Sequence, residues 1–335
     1  MKSPLVDVHI HYLPGALIRA YQARTTPPLI ENDGSSLVLR YGSGYVERID
    51  AESTDPTRLI RTLDQNGIDI AVLSINQPGV LGLAPDDACA TAQAANDELA
   101  ELVDASGGRL AGLATLPWQS PPEAGEELTR AVSLGLKGAM VCSNVSGRSL
   151  DEDGFEEVFA TGAALDVPFL LHPTVPLSIA TLGDYGLTCS VGFLFDTTTA
   201  ILRLLLSGLL DRLPDIKIIV AHSGSLLPQL AGRLDLEQER GAIVGTAAKR
   251  GLLSWDYLGL LYTDSVAGSL PPLTAALELF GHEHVMFGTD FPFWEPYKSV
   301  SVLDELSIGK EELDRIRGGN AMALFHLEAV QDRRD

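Results

Sequence analysis

Residues Leu5–His11 read LVDVHIH, a β-branched apolar run that closes on two histidines separated by one residue. As a strand it alternates sides, so Asp7, His9 and His11 fall on one face and Val8 and Ile10 on the other. Two imidazoles two positions apart on one strand face can chelate a single metal ion. Seven further runs of this kind follow, at Ile68–Ile75, Leu110–Leu116, Lys137–Ser143, Val167–His172, Ile216–His222, Leu258–Asp264 and His284–Asp290. Most are near-continuously apolar, as parallel strands buried on both faces should be. Amphipathic stretches separate them, at Pro56–Asn66, Pro85–Ser106, Pro121–Leu134, Asp196–Leu213, Gly224–Arg240, Pro271–Phe280 and Lys310–Leu327. Prolines open several and glycines close several, as helix boundaries require; Asp196 or a threonine after it is read as a cap and Pro214 as a breaker. Eight strand–helix units in ~290 residues predict a (β/α)8 TIM barrel. A doubly wound sheet is the rival, but no GxGxxG follows the first strand. Residues 12–55 are too long for a plain βα loop and contain two strand-like runs, Leu37–Tyr41 and Tyr45–Ile49. They are expected to form a small cap-like insertion after the first strand of a single domain spanning 1–335.

The composition agrees with a globular enzyme. Of 335 residues, 24 are Lys or Arg and 45 are Asp or Glu, a formal charge of −21, and 45% are hydrophobic. That balance excludes disorder and collagen. An acidic surface repels nucleic acid and anionic lipid, so neither is an expected partner. No apolar run is read as approaching the ~18–20 residues of a membrane span, and MKSPLVDVHIHYLP lacks the apolar core of a signal peptide. Cys89, Cys142 and Cys189 form no CxxC pair, which points to a reducing, cytoplasmic setting.

His172 ends the fifth run, His222 the sixth and Asp290 the eighth. In a barrel these ends meet at one mouth, where active sites are built. A single histidine at a strand end is ordinarily structural. Four strand ends carrying polar groups together are not, because each would cost desolvation without a shared purpose. Three imidazoles and one carboxylate make a Zn²⁺-type site with room for water or substrate. Asp264, ending the seventh run, is placed to orient a ligand histidine. Lys137 starts the fourth run and should point to the opposite end, so a lysine-bridged metal pair is not expected and the site is mononuclear. His282 and His284 flank the start of the last strand and His326 lies in the final helix; all three read as structural. Trp118, Phe293 and Trp294 are candidates to stack on a planar ring or to pack. Cys142 reads as inert packing.

DVHIHYLP, FLLHP, IIVAHSGSLLP, MFGTDFPF and GGNAMALFHL together resemble the amidohydrolase superfamily along the whole chain. More narrowly they resemble the branch that contains aminocarboxymuconate semialdehyde decarboxylase and hydroxybenzoate decarboxylases. LFDTTTAILRLLLSGLLDRLPDIKIIVAHSGSLLP is also similar to 6-methylsalicylate decarboxylases. The resemblance implies that His9, His11, His172 and Asp290 hold one Zn²⁺ or Mn²⁺. It implies that His222 is a catalytic histidine that need not bind metal, with His222 or Asp290 delivering a proton. It further implies that Arg233 reaches a substrate carboxylate, in some members across a homodimer interface, and that Phe293 lines the pocket. The expected activity is metal-dependent, non-oxidative decarboxylation of a hydroxybenzoate-like or unsaturated carboxylate, a small molecule. A lactone or amide hydrolase or a hydratase of the same superfamily is the alternative, whereas a non-catalytic barrel would have lost its ligands. Two departures stand out. Relatives show HGGG or HAGG where this chain has His222-Ser223-Gly224-Ser225, and Arg40 and Arg48 are only loose counterparts of the cap residues of the decarboxylases.

Overall fold

The computed structural model describes residues 3–50, 54–245 and 257–328. In chain order its strands are β1 (Val6–Tyr12), β2 (Leu29–Asp33), β3 (Ser36–Arg40), β4 (Val46–Asp50), β5 (Ile70–Ile75), β6 (Leu110–Leu113), β7 (Ala139–Cys142), β8 (Pro168–His172), β9 (Lys217–Val220), β10 (Tyr262–Asp264) and β11 (Val285–Met286). Eight of them, β1 and β5 to β11, are the eight runs read from the sequence. They pair in parallel as β1-β5-β6 and as β7-β8-β9-β10-β11.

Two seams join these sheets into a closed barrel. At one, the Ala114 N–H donates to Gly138 O at 2.8 Å and the Met140 N–H to Ala114 O at 3.0 Å. At the other, Val8 N–H donates to Phe287 O at 2.9 Å and His11 N–H to Phe291 O at 2.7 Å. Alternate residues fill the interior: Val6, Val8, Ile70, Val72, Leu113, Met140, Cys142, Leu170, Ile219 and Met286 form one buried cluster. Ala321, Leu324 and Phe325 join the same cluster. Cys142 is thus packing, and burial pushes its thiol up to about 12.

Helices α1 (Gly15–Gln22), α2 (Pro56–Gln65), α3 (Pro85–Ala105), α4 (Pro121–Ser133), α5 (Phe155–Ala164) and α6 (Phe193–Leu206) alternate with strands. Three of them start at the prolines the sequence pointed to, Pro56, Pro85 and Pro121, whereas α1 and α5 were not anticipated. The Asp55 side chain caps α2 by accepting from Thr57 N–H at 2.8 Å, with Pro56 in the first turn. Asp196, expected as a cap, instead lies inside α6, where its buried carboxylate accepts from Ser143 Oγ and Asn144 Nδ2 at 2.5 and 3.0 Å. The helical stretch Thr188–Leu206 has the length and apolarity of a membrane span, with a mean hydropathy of 1.5. This corrects the expectation that no apolar stretch approaches that length; Asp196 and Arg203 interrupt the segment and hid it. Its apolarity has a packing cause: Ile201, Leu204 and Leu205 are buried against the barrel, and Arg203 pairs with Asp151 at 2.7 Å.

Between β1 and α2 the chain builds α1 and a three-stranded antiparallel sheet, β2-β3-β4. The sequence reading anticipated β3 and β4 but not β2, whose LIEND is too polar to read as a strand. Its signal was Asp33-Gly34 ahead of the partner strand: Asp33 pairs with Ser36 across a two-residue turn in which Gly34 takes φ 62°. Ile30, Leu37, Leu39, Tyr41 and Ile49 bury one face of this sheet in the main core.

Candidate metal and substrate site

The mouth of the barrel gathers the polar strand ends. β1 does not alternate cleanly. Its register against β5 shifts between Asp7 and Ile10, Val8 packs inside the barrel, and Ile10 belongs to the outer core. This bulge re-aims the strand so that Asp7 leaves the face it was expected to share with His9 and His11. Asp7 instead accepts from His9 N–H at 3.1 Å and from Thr289 Oγ1 at 2.6 Å, tying β1 to the segment that carries Asp290.

Beyond β9, residues His222, Ser223, Gly224 and Ser225 take φ of 60, 54, 75 and 58° in succession. Only glycine adopts that region freely, so the turn carries backbone strain. Asp264 offsets it: its carboxylate accepts from the N–H groups of His222, Ser223 and Val266 at 3.0, 2.9 and 2.9 Å.

Each of three histidines is fixed from behind through Nδ1. His9 Nδ1–H donates to Asp264 Oδ2 at 2.6 Å. His172 Nδ1–H donates to Pro173 O at 2.8 Å. Ser74 Oγ spends its proton on Ile10 O at 3.2 Å and therefore accepts from His11 Nδ1–H, 2.9 Å away. With these tautomers every Nε2 carries a lone pair, and the lone pairs converge. The Nε2 atoms of His9 and His11 are 3.2 Å apart, and Asp290 Oδ1 lies 3.4 and 3.2 Å from them. One donor atom from each of His9, His11, His172 and Asp290 lies within 4.8 Å of the others, and all four residues are buried. Facing lone pairs in a buried pocket repel unless a cation sits among them, and a His/His/His/Asp set suits Zn²⁺ or Mn²⁺.

The three rings differ in their electrostatics. Burial works against charge on all three rings, but at His9 the Asp264 carboxylate outweighs it and lifts the ring to about 9. His11 is lowered, and His172 falls well below the usual histidine range. Burial alone would raise both aspartates. His11 and His222 hold Asp290 well below the ordinary carboxylate range, and His9 holds Asp264 below it.

His222 stands beside the four ligands. Its Nε2 is 3.5 Å from Asp290 Oδ2, and its buried Nδ1 has no partner. It opens onto a cavity of about 380 Å³ whose walls are largely apolar, with Phe193, Leu194, Leu226, Val266 and Phe293 contributing. The Phe293 ring meets His11 edge-on, 5.7 Å between centroids, and Trp294 sits at the rim, 39% exposed. Ser223 also lines the cavity, its Oγ without a partner.

Other candidates lie elsewhere. Trp118 is buried among Phe155, Phe159 and Phe169, so it packs the core and cannot stack on a ligand. The Arg233 side chain is 75% exposed and lies 3.8 Å from Glu237, away from its own chain's cavity. Arg40 pairs with Glu31 and Arg48 with Asp33 on the outside of the cap. Among the described residues no Lys or Arg lines the cavity. Lys137 precedes β7, at the end of the barrel opposite the mouth. His282 faces Glu312, His284 faces Phe280 O and His326 faces Asp166, all remote from the four ligands. Sequence reading missed three lining residues, Tyr45 and Glu47 of the cap and Gln77 just beyond β5. A glutamate on the inward side of Tyr45–Ile49, a run already read as a strand, was the available signal.

Residues 6–327 match the amidohydrolase family model. Over 286 residues the chain is 36% identical to a gamma-resorcylate decarboxylase of Polaromonas sp., covering 81% of this chain and 87% of that one. It is 28% identical over 341 residues to the 2-amino-3-carboxymuconate-6-semialdehyde decarboxylase of Dictyostelium discoideum, covering 98% and 93%. Among solved structures, a dihydroxybenzoic acid decarboxylase from Polaromonas sp., with bound manganese and the inhibitor 2-nitroresorcinol, superposes with a TM-score of 0.77. Identity there is 28%, over 99% of this chain and 100% of that one.

Proposed function

The chain belongs to the amidohydrolase family, and from that membership we propose that it is a metal-dependent, non-oxidative decarboxylase of a hydroxybenzoate-like or related unsaturated carboxylate. The observation that carries the reading is the placement of His222, paired with Asp290 and open to an apolar cavity, beside three histidines whose Nε2 lone pairs converge. His9, His11, His172 and Asp290 would hold the cation. When bound, a divalent ion supplies Lewis-acid polarisation of substrate oxygens. We assign it as Zn²⁺ from the donor set, with Mn²⁺, bound by the Polaromonas relative, as the other occupant.

The remaining steps fall to the chain's own groups. The apolar walls and the Phe293 ring sandwich a planar substrate and exclude water. A proton held between His222 Nε2 and Asp290 Oδ2 is delivered to the ring carbon that bears the carboxylate. The C–C bond then breaks, its electron pair restores the aromatic ring and CO₂ leaves, so the reaction consumes one proton and no water. Histidine suits this role because its ordinary pKa lies near neutrality. The lack of a cation among the described lining residues supports Arg233 acting in the cavity of a neighbouring subunit, hence a homodimer. Three free cysteines support a reducing, cytoplasmic setting.

The test is CO₂ release by Zn²⁺- and Mn²⁺-loaded protein from ortho-hydroxybenzoates and aminocarboxymuconate semialdehyde. His222→Ala should lower kcat by about 10²–10⁴ with metal content intact. Silence of the fully metallated wild type, with turnover of lactones instead, would replace this reading with hydrolysis.

A further inference from the structure

β4 crosses the mouth with strict alternation: Val46, Arg48 and Asp50 face solvent, and Glu47 and Ile49 face inward. Glu47 is 6% exposed, an acidic side chain on the buried face of a short strand, where burial is costly without compensation. Its partners are all neutral. Tyr41 O–H and Asn76 Nδ2 both donate to Oε2, each at 3.1 Å. Oε1 receives only Gln77 Nε2, at 3.4 Å. The other end of the Gln77 amide, Oε1, is buried with no partner. Glu47 and Gln77 both line the cavity that holds His222 and Asp290, whose other walls are largely apolar.

Tyr41 belongs to the cap, and Asn76 and Gln77 follow β5, so a carboxylate that served only to dock the cap on the barrel would have both oxygens well satisfied by these two elements. Here one oxygen is saturated and the other is nearly free, next to an orphaned amide oxygen, on the wall of the reaction cavity. Two neighbouring acceptors with spare lone pairs on the cavity wall call for a donor.

We propose that Glu47, with Gln77, forms the subsite that recognises a hydrogen-donating substituent, a hydroxyl or an amino group, on the substrate ring. The substituent is distinct from the carboxylate that is lost, so the cavity selects a doubly substituted benzoate over the monohydroxy parent. The identity of the ring rests on the decarboxylase reading; the position of the subsite rests on the cavity alone. Burial, against the pull of the three donors, pushes the Glu47 carboxyl up to about 7, consistent with a group poised to meet a polar ligand rather than an ion.

The test separates the two claims. Optical titration of Mn²⁺-loaded protein with 2-nitrophenol, and with the isomers that add one ring hydroxyl, reads the subsite without turnover. Wild type should bind at least one hydroxylated isomer about tenfold or more tighter than 2-nitrophenol, as one hydrogen bond to a charged acceptor supplies. In Glu47→Leu, with folding checked by thermal melting, that ratio should fall to within about threefold of unity. Should Glu47→Leu fail to fold, the isosteric Glu47→Gln decides, and its ratio should drop at least threefold. A ratio near one in wild type, or a ratio that survives the substitution, overturns the assignment. CO₂ release from the matching hydroxybenzoates is measured in parallel. Intact discrimination with no CO₂ overturns the decarboxylase reading and leaves the subsite standing.

Discussion

Four contacts converge on the carboxylate of Asp264: the His9 ring and the backbone N–H groups of His222, Ser223 and Val266. It touches neither the expected cation nor the cavity, yet it sets the tautomer of a ligand and the strained turn that aims His222. Asp264→Asn would put an NH₂ where an acceptor is needed. If that NH₂ faces His9, the ring must turn its lone pair to Nδ1, and Nε2–H then points at the other ligands. We expect metal affinity to fall about 10–100-fold by calorimetry, with the fold preserved. At this scale the sequence was informative wherever a residue ended a strand: His9, His11, His172, His222, Asp264 and Asp290 all meet at the mouth. It misled at Asp7, because strand alternation assumes an unbroken pleat and the bulge at residues 7–10 breaks it. It left Glu47 unread: the inward position on the run Tyr45–Ile49 was a local signal, but its place on the cavity wall comes from the sheet docking over the barrel.

The elements show which rules govern a boundary. Helix starts at Pro56, Pro85 and Pro121 were legible because proline fixes φ and needs no donor. Asp196 was misread because the same side chain that caps a helix can brace a neighbouring loop once tertiary structure supplies partners. The turn after β9 is the element that aims His222 at the cavity. A Cβ on Gly224 would lie 2.3 Å from the Phe280 ring, at φ 75°. Gly224→Ala therefore meets both a clash and backbone strain. It should cost about 2–4 kcal/mol in urea unfolding and lower kcat more than it raises KM, because His222 is displaced while the cavity walls remain. Equal activity and an unchanged denaturation midpoint would show that the turn is not held as described.

For the whole molecule, pH dependence of stability follows from buried acids. Glu47 rises from 4.5 to about 7 on folding, by burial first, with Asp290 adding repulsion across the cavity. Between those values the native state holds a proton that the unfolded chain has released, so stability declines as pH climbs from about 4.5 to 7. The full effect corresponds to about 3 kcal/mol. Glu47→Gln removes this term, so the variant should lose less stability than wild type between pH 5 and pH 8, read from urea midpoints at both pH values. Parallel curves would contradict the buried, cation-free setting of Glu47. The subunit level offers a separate test of Arg233. Arg233→Ala should raise KM about tenfold with little change in kcat, and mixing it with His222→Ala subunits should restore activity only if the arginine works across an interface.

One consequence of the second seam concerns how such a chain comes to life on the ribosome. His11 and Asp290 are 279 positions apart, and the bridge from Thr289 to Asp7 spans 282. No nascent chain shorter than nearly the whole polypeptide can assemble the ligand set, so metal capture is a late event in biogenesis that waits for the last strand to close on the first. A slow, non-local closure of this kind leaves the first strand's histidines exposed throughout synthesis.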